Sequence, residues 1–227
     1  MNNSSVVSGN VSANAPLRLA LIGMSGAGKS FWTRQIAAIG VPAISCDEVI
    51  EQKLAPKLKA GGYAGINGVA AWMGWPDSVT YAEREAQYLA EETATLDEIL
   101  SGLEKNRTES LVLDTTGSVI YTGNHLLHRL RRLMTVVYLA ASDAEQQLLM
   151  ERYLSDPKPV LWRGAFQAKA GETPRETVAR CYPYLIAARR RSYVAIAQVT
   201  LQVAALRELP QTAEAFLALL AKKESGS

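Results

Sequence analysis

The sequence has little cysteine or histidine, with two residues of each type among its 227. Cys46 and Cys181 are too few for a disulfide framework, and they do not have metal-ligand spacing. His125 and His128 do not complete a structural zinc site with them. The composition therefore predicts neither a disulfide-rich scaffold nor a zinc-dependent fold.

Long hydrophobic runs and a strong charge imbalance are also absent. No apolar run approaches the ~20 residues that a membrane span needs. Residues 1–16 are polar and lack the basic and apolar blocks of a signal peptide, so we interpret them as a disordered leader. The net charge is only +2, which predicts no general nucleic-acid surface. We expect a cytoplasmic protein that acts without a membrane or nucleic-acid partner.

The hydrophobic share of 48% is ample for a packed core. Short apolar runs at 17–23, 42–45, 110–116, 135–141 and 199–203 alternate with helical patterns. This alternation predicts one α/β domain over 17–227, with a five-stranded parallel sheet and helices on both faces. Glycines interrupt the pattern at 57–80, which could be a mobile lobe or a small satellite core.

Residues 23–30 read Gly-Met-Ser-Gly-Ala-Gly-Lys-Ser and match G-x-x-x-x-G-K-[ST] in full. An apolar run precedes the motif and a helical pattern follows it, as a phosphate loop requires. Glycines let successive backbone N–H groups turn toward phosphate oxygens, and the helix dipole adds positive potential. The motif predicts that ATP and Mg²⁺ bind here, with the lysine on the β- and γ-phosphates and the last serine on the metal. The residues predicted to hold the nucleotide are Gly23, Ser25, Gly26, Ala27, Gly28, Lys29 and Ser30.

The stretch at 44–51 reads Ile-Ser-Cys-Asp-Glu-Val-Ile-Glu. Together with the phosphate loop it resembles the shikimate kinases, which have Ile-Asp-Thr-Asp-Glu-Leu-Ile-Glu there. The resemblance implies a three-layer P-loop kinase fold of the nucleoside-monophosphate-kinase type. It also implies that Asp47 binds the acceptor hydroxyls and removes the proton from the attacking one. A carboxylate just beyond a strand end suits that role, although Asp47 could also serve as a helix N-cap.

One magnesium-supporting aspartate of that family is replaced in this chain. The family's first aspartate in the motif corresponds to Ser45. Asp114, however, ends the apolar run Leu111-Val112-Leu113, which is the form of a Walker B aspartate. We hypothesise that Asp114 supports the magnesium ion instead.

The acceptor half of the motif set departs further from the family. Thr116, Gly117 and Ser118 stand where shikimate kinases have a triple-glycine turn against the substrate, so we expect a reshaped wall there.

Shikimate kinases bind the acceptor through charged residues, and only some of these have a counterpart at the matching position of this sequence. Glu85 fits the family pattern as a substrate-binding residue, but Ala82 occupies the position of the neighbouring substrate arginine. Arg84 lies two residues later, which rotates a helical side chain by ~200°. Arg189, in Arg-Arg-Arg-Ser-Tyr, matches the family's carboxylate-binding arginine, and a guanidinium suits a carboxylate because it can form two parallel hydrogen bonds. A solvated helix arginine is the alternative at that position.

Two further motifs resemble the nucleotide-covering parts of the family. Met150-Glu151-Arg152 resembles Leu-Glu-Arg, which implies that Arg152 packs against adenine. Lys158-Pro159-Val160-Leu161 resembles the lid motif Arg-Pro-Leu-Leu, which implies a lid over 156–172. Lys158 could supply positive charge to the γ-phosphate, and Arg163 could supply the bidentate fork that lysine lacks.

These observations predict a kinase that phosphorylates a hydroxyl of a small polyol or hydroxy acid, with shikimate as the leading acceptor. Segment 57–105 would lie on the substrate side. A nucleoside or nucleotide kinase is one alternative. A second is a non-catalytic ATP-binding switch whose partner surface is an exposed apolar patch at Trp72–Trp75. We expect a monomer or weak homo-oligomer.

Overall fold

The computed structural model describes residues 15–155 and 158–225. The predicted leader lies outside the described residues apart from Ala15 and Pro16, and the predicted lid is described from Lys158 onward.

The central layer is a five-stranded parallel sheet, as the sequence predicted. Its strands stand in the order β2-β3-β1-β4-β5, so β1 is central and pairs with β3 and β4. Most residues of β1, β3 and β4 are buried because helices cover both faces of a sheet of this type. The strands are β1 (Arg18–Ile22), β2 (Ala43–Ser45), β3 (Leu111–Asp114), β4 (Thr135–Ala140) and β5 (Val199–Gln202).

The helices follow the strands along the chain, and some begin at a side-chain cap: Ser45, Thr173 and Thr212 each accept a hydrogen bond from a backbone N–H of the first helical turn. Thr173 and Glu176 form the predicted capping box with Pro174 in the first turn. No helix within 15–155 and 158–225 is both long and apolar enough to cross a membrane. The helices are α1 (Lys29–Ala38), α2 (Cys46–Ala60), α3 (Gly65–Met73), α4 (Tyr81–Lys105), α5 (Asn124–Leu133), α6 (Asp143–Ser155), α7 (Pro174–Ile196), α8 (Val203–Arg207) and α9 (Ala213–Glu224).

Segment 57–80 is a packed part of the domain. Helix α2 continues through Pro56 to Ala60, and α3 packs against both α2 and α4. Val69, Trp72 and Met73 are buried. Of the two interpretations of this segment, the structure therefore favours a core. For the patch that the switch alternative placed at Trp72–Trp75, Trp72 and Met73 offer no exposed surface, whereas Trp75 is 36% exposed and packs edge-on against Tyr153.

Candidate active site

A cavity of about 520 Å³ lies at the carboxyl ends of β1, β2 and β3. In open α/β sheets this edge is where ligands bind, because loops from neighbouring strands converge there. The cavity joins the phosphate loop to residues from α2, α4, α7 and the lid segment. Its lining includes Ser25, Gly26, Gly28, Lys29, Ser30, Arg34, Ser45, Asp47, Tyr88, Asp114, Thr116, Gly117, Lys158 and Arg189.

The phosphate loop requires glycine for two separate reasons. Gly28 is the N-cap of α1 and adopts the left-handed conformation, with φ of 96°. Gly23 has φ of 142°, and a Cβ there would approach the Leu139 carbonyl oxygen to 2.8 Å. Positive φ values and close backbone approach are both available to glycine without the strain that a side chain introduces. The loop therefore turns tightly between β1 and α1, as the motif predicts.

The Lys29 side chain folds back over this loop and is only 6% exposed. Its Nζ donates hydrogen bonds to the carbonyl oxygens of Gly23, at 3.0 Å, and Met24, at 3.1 Å. Burial lowers the pKa of Lys29, while the nearby carboxylates of Asp114 and Asp47 oppose that effect. The ammonium group thus lies between the loop and two acidic side chains of the same cavity.

Asp47 lies in the first turn of α2 and lines the cavity. The helix cap is Ser45, whose side chain accepts from the Glu48 backbone N–H, so Asp47 is not needed as the N-cap. Tyr88 on α4 donates its hydroxyl to Asp47 Oδ1 at 2.9 Å. Burial raises the pKa of Asp47, and Lys29 and the Tyr88 hydrogen bond act in the opposite direction. Tyr88 is a site residue that the sequence analysis did not identify.

Asp114 ends β3 and lines the same cavity as Ser30. It is 4% exposed, and its Oδ1 has no hydrogen-bond partner in the described part of the chain. An unpaired buried carboxylate oxygen is costly unless a ligand satisfies it. Because Mg²⁺ prefers oxygen ligands, Asp114 and the Ser30 hydroxyl fit a magnesium site.

The turn at 116–118, which was expected to form a reshaped wall of the acceptor pocket, is hydrogen-bonded to a buried carboxylate on α4. Glu92 accepts a hydrogen bond from the Thr116 hydroxyl and a second from the Ser118 hydroxyl, the latter at 2.7 Å. Thr116 and Gly117 line the cavity, whereas Ser118 points away toward Glu92. Burial raises the pKa of Glu92 to about 7, against the two hydroxyl hydrogen bonds that lower it. The sequence analysis missed Glu92, although it shares the buried face of α4 with Glu85 and Tyr88.

Arg189 is buried, at 2% exposure, and reaches the cavity from α7. Its Nη1 donates to the Gly117 carbonyl oxygen at 3.0 Å, and its Nη2 donates to the Leu161 carbonyl oxygen at 2.7 Å. Its Nε has no partner, and no described carboxylate forms an ion pair with it. The Tyr121 ring lies 5.5 Å from the guanidinium carbon. The structure thus excludes the solvated alternative for Arg189.

Glu85 lies beside the cavity and does not line it. Its Oε1 accepts from the Tyr81 hydroxyl at 3.0 Å and from the Arg163 backbone N–H at 2.9 Å. The Tyr81 hydroxyl oxygen also lies 2.7 Å from the Val160 carbonyl oxygen, which competes with Glu85 for its one proton, and it accepts from the Trp162 backbone N–H at 3.0 Å. Tyr81 and Glu85 therefore fix the lid segment to α4. Arg84 does not reach the acceptor side because it donates to the Trp72 carbonyl oxygen.

The three cations predicted to contact the nucleotide are placed differently. Lys158 lines the cavity, and its Nζ donates to Asn67 Oδ1 at 2.5 Å. Arg163 lies outside the lining, with its Nη1 3.9 Å from Glu85 Oε2. Arg152 is exposed on α6 and is also outside the lining. The structure therefore brings only Lys158 of these three into the cavity.

The sheet order, the phosphate loop between β1 and α1, and the acidic residue that follows β2 define the class of P-loop kinases. Solved structures with the same fold are shikimate kinases. The shikimate kinase from Acinetobacter baumannii in complex with shikimate is 26% identical over 90% of each chain, with a TM-score of 0.55. The shikimate kinase from Aquifex aeolicus is 17% identical over 92% of this chain and 98% of its own, also with a TM-score of 0.55.

A third shikimate kinase, from Bacteroides thetaiotaomicron, is 18% identical over 82% of this chain and 86% of its own, with a TM-score of 0.51. No family model matches the sequence. No curated protein matches it either. The chain therefore has a shikimate kinase-like P-loop kinase fold, as the sequence motifs predicted.

Proposed function

We propose that the protein is an ATP- and magnesium-dependent kinase that phosphorylates a hydroxyl group of a small hydroxylated carboxylic acid. The observation that carries the proposal is the composition of the cavity at the carboxyl ends of β1, β2 and β3. It combines a phosphate loop, a carboxylate that could accept a proton, and a buried arginine without a carboxylate partner. Shikimate is the first acceptor to test, because a similar solved structure was obtained in complex with it.

The phosphate loop would hold the triphosphate with its backbone N–H groups and with Lys29. The Lys29 ammonium now bonds to two loop carbonyls, and the phosphate oxygens of ATP would replace those acceptors. Ser30 and Asp114 would hold a magnesium ion, which neutralises charge on the phosphates during transfer. Arg152 would pack against adenine, the role that the resemblance to shikimate kinases implies, from outside the cavity lining.

Asp47 would accept the proton of the attacking hydroxyl. Its burial raises its pKa, which makes the carboxylate a stronger base than an exposed aspartate. Tyr88 occupies one carboxylate oxygen with a hydrogen bond, so the other oxygen is available to the acceptor. The position of this pair beside Lys29 would place the acceptor hydroxyl near the phosphates.

Arg189 would bind the carboxylate of the acceptor. A buried guanidinium without an anionic partner is unfavourable in the free protein, and a bound carboxylate removes that penalty. Thr116 and Gly117 would form the adjoining wall of the acceptor pocket. Ser118 and Glu85 would act behind that surface, because neither side chain lines the cavity.

Lys158 would neutralise charge on the transferred phosphoryl group. It is the lid cation that lines the cavity, and the closed lid would also exclude water that could hydrolyse ATP. Arg163 would contribute its fork only if its contacts with Glu85 were released.

The test is ADP release from magnesium-ATP with shikimate, other hydroxy acids, polyols, nucleosides and nucleoside monophosphates. We expect turnover with a hydroxy acid and its loss in Lys29→Ala and Asp47→Asn. Glu98→Gln, an exposed change on α4, is the control and should retain the activity. Turnover with nucleoside monophosphates alone would replace the acceptor class, and no turnover with any acceptor would contradict a kinase function.

A further inference from the structure

Helix α4 places a buried carboxylate beside the turn that follows β3. Glu92 is 2% exposed and lies on the face of α4 that is buried against the domain. Both of its oxygens accept hydrogen bonds from hydroxyls of one short turn, Thr116 and Ser118. It does not line the cavity, so it cannot contact a ligand there directly.

The hydrogen-bonding capacity of the Thr116 and Ser118 hydroxyls makes this arrangement specific for a carboxylate. Each hydroxyl has a single proton to donate, and both protons point to Glu92. The Thr116 hydroxyl oxygen also accepts from the Ser118 backbone N–H at 3.1 Å, which fixes the turn between them. An amide or an apolar group in place of the carboxylate would leave at least one of these hydroxyls misdirected or unpaired.

Gly117 lies between the two hydroxyl residues, and its carbonyl oxygen is one of the two backbone anchors of Arg189, the other being the Leu161 carbonyl oxygen. Arg189 Nη1 donates to this oxygen at 3.0 Å, and Tyr193 donates its hydroxyl to the same oxygen. The approach is close, because a Cβ on Gly117 would lie 3.3 Å from Arg189 Nη1. The conformation of the turn therefore determines where the guanidinium is held.

We propose that Glu92 is a positioning residue that sets the carboxylate-binding geometry of Arg189 through the turn at 116–118. The inference rests on the proposed function, and it concerns how that site selects a carboxylate acceptor. Glu92 accepts hydrogen bonds from the hydroxyls of Thr116 and Ser118 and so fixes the conformation of the turn. The turn conformation sets the direction of the Gly117 carbonyl, and Arg189 Nη1 donates to that carbonyl oxygen. A purely structural role would affect the stability of the domain without a selective effect on the acceptor.

The kinetic test compares Glu92→Gln with the wild type and with Glu98→Gln at pH 8, above the raised pKa of Glu92, so that its carboxylate is ionised and accepts from both hydroxyls. The acceptor is the hydroxy acid that gives turnover. We expect the KM for the acceptor to rise about tenfold or more in Glu92→Gln, because a misplaced guanidinium loses a charge-assisted hydrogen bond. The KM for ATP and the slow ATP hydrolysis without acceptor should change much less than the acceptor KM. Gly117 packs against Gly23 and Ser25 of the phosphate loop, but the backbone conformation of that loop is set by its own glycines, and Lys29 bonds to Gly23 and Met24 rather than to the turn. An unchanged acceptor KM, or equal changes in both KM values, would overturn the proposal.

Crystal structures test this proposal independently of the proposed kinase function. Structures of the acceptor-free wild type and of Glu92→Gln test the position of the turn even if no acceptor in the panel is phosphorylated. We expect the hydrogen bond from Arg189 Nη1 to the Gly117 carbonyl to be lost or redirected in the variant. If that bond and the two hydroxyl orientations persist, the proposal is wrong, whatever the enzyme phosphorylates.

Discussion

The two halves of the cavity are built in different ways. The nucleotide half is one continuous segment, residues 23–30, in which backbone N–H groups and glycine conformations provide the binding geometry. The acceptor half is assembled from side chains on α2, α4, the turn after β3, and α7. Its hydrogen bonds join residues that are far apart in the sequence, such as Tyr88 to Asp47 and Arg189 to Gly117.

This difference indicates how the two halves can change. A backbone-built phosphate site tolerates little variation, because its glycines occupy conformations that other residues avoid. The acceptor site depends on a side-chain network, so a substitution at one position requires compensation at another. The hydroxyls at 116 and 118 are an example, because the buried carboxylate of Glu92 satisfies both.

The largest predicted effect comes from a substitution in the nucleotide half of the cavity. Lys29→Ala removes the ammonium that would contact the β- and γ-phosphates, so we expect kcat to fall by about 10³-fold or more with any acceptor. Measuring ADP release at fixed times after the reaction starts quantifies this loss of kcat. Lys53→Ala, which removes a half-buried lysine that is paired with Glu98 and lies outside the cavity, should retain nearly full activity. A Lys29→Ala protein within tenfold of wild type would contradict the assigned role.

The second prediction concerns the buried carboxylate of the acceptor half. Burial raises the pKa of Glu92 from 4.5 to about 7. Between these pH values the folded protein keeps a proton that the unfolded chain has released, so the free energy of unfolding falls as pH rises. The contribution is about 3 kcal/mol over this window. Neighbouring Asp47, Tyr88, Cys46 and Arg189 influence the same proton.

Urea unfolding of wild type and Glu92→Gln between pH 4 and pH 8 measures this difference. The gap between the two stability curves should change by about 3 kcal/mol across the window and be flat outside it. Parallel curves throughout the pH range would show that Glu92 titrates normally. The same pair of proteins thus tests the acceptor half without any acceptor.

A smaller effect is expected at the boundary between the two halves. Asp114→Asn weakens the support for magnesium, so we expect the magnesium concentration for half-maximal activity to rise about 10- to 100-fold. The titration should be repeated by ATP-binding fluorescence, because that readout does not depend on phosphoryl transfer. Asp143→Asn, an exposed change at the start of α6, is the control. An unchanged magnesium dependence would rule out the role hypothesised for Asp114.

The sequence predicted the strand, loop and helix around the phosphate loop, and it named only some of the side chains that meet on the acceptor side of the cavity. The phosphate loop could be recognised because its function depends on local backbone conformation, which a short string of residues specifies. The parallel sheet, although not the order of its strands, follows from the alternation of apolar runs and helices. Asp47 was identified through the resemblance to shikimate kinases and Asp114 through its place at the end of an apolar run, and the carboxyl ends of parallel strands converge.

The remaining site residues depend on tertiary contacts that no local pattern contains. Three consecutive arginines at 189–191 look alike in sequence, yet a helix turns ~100° per residue, and only Arg189 faces the core. The partners of Glu92 lie 24 and 26 residues away, so its role emerges only when α4 packs beside β3. Glu85 was expected to bind the acceptor, but its contacts are with the lid segment, 78 residues away at Arg163.

The smallest predicted effect comes from removing a single hydrogen bond in the acceptor half. Tyr88→Phe removes the donor to Asp47 Oδ1, and this bond lowers a pKa that burial raises. Without it the pKa of Asp47 should rise further, so the acidic limb of the pH dependence of kcat/KM should move to higher pH. At neutral pH we expect a loss of about fivefold, the value of one net hydrogen bond. Tyr184→Phe, at an exposed position of α7, should leave both the rate and the limb unchanged. A shift of the limb to lower pH would mean that Tyr88 does not stabilise the ionised carboxylate, and Asp47 would then need another partner to serve as the base.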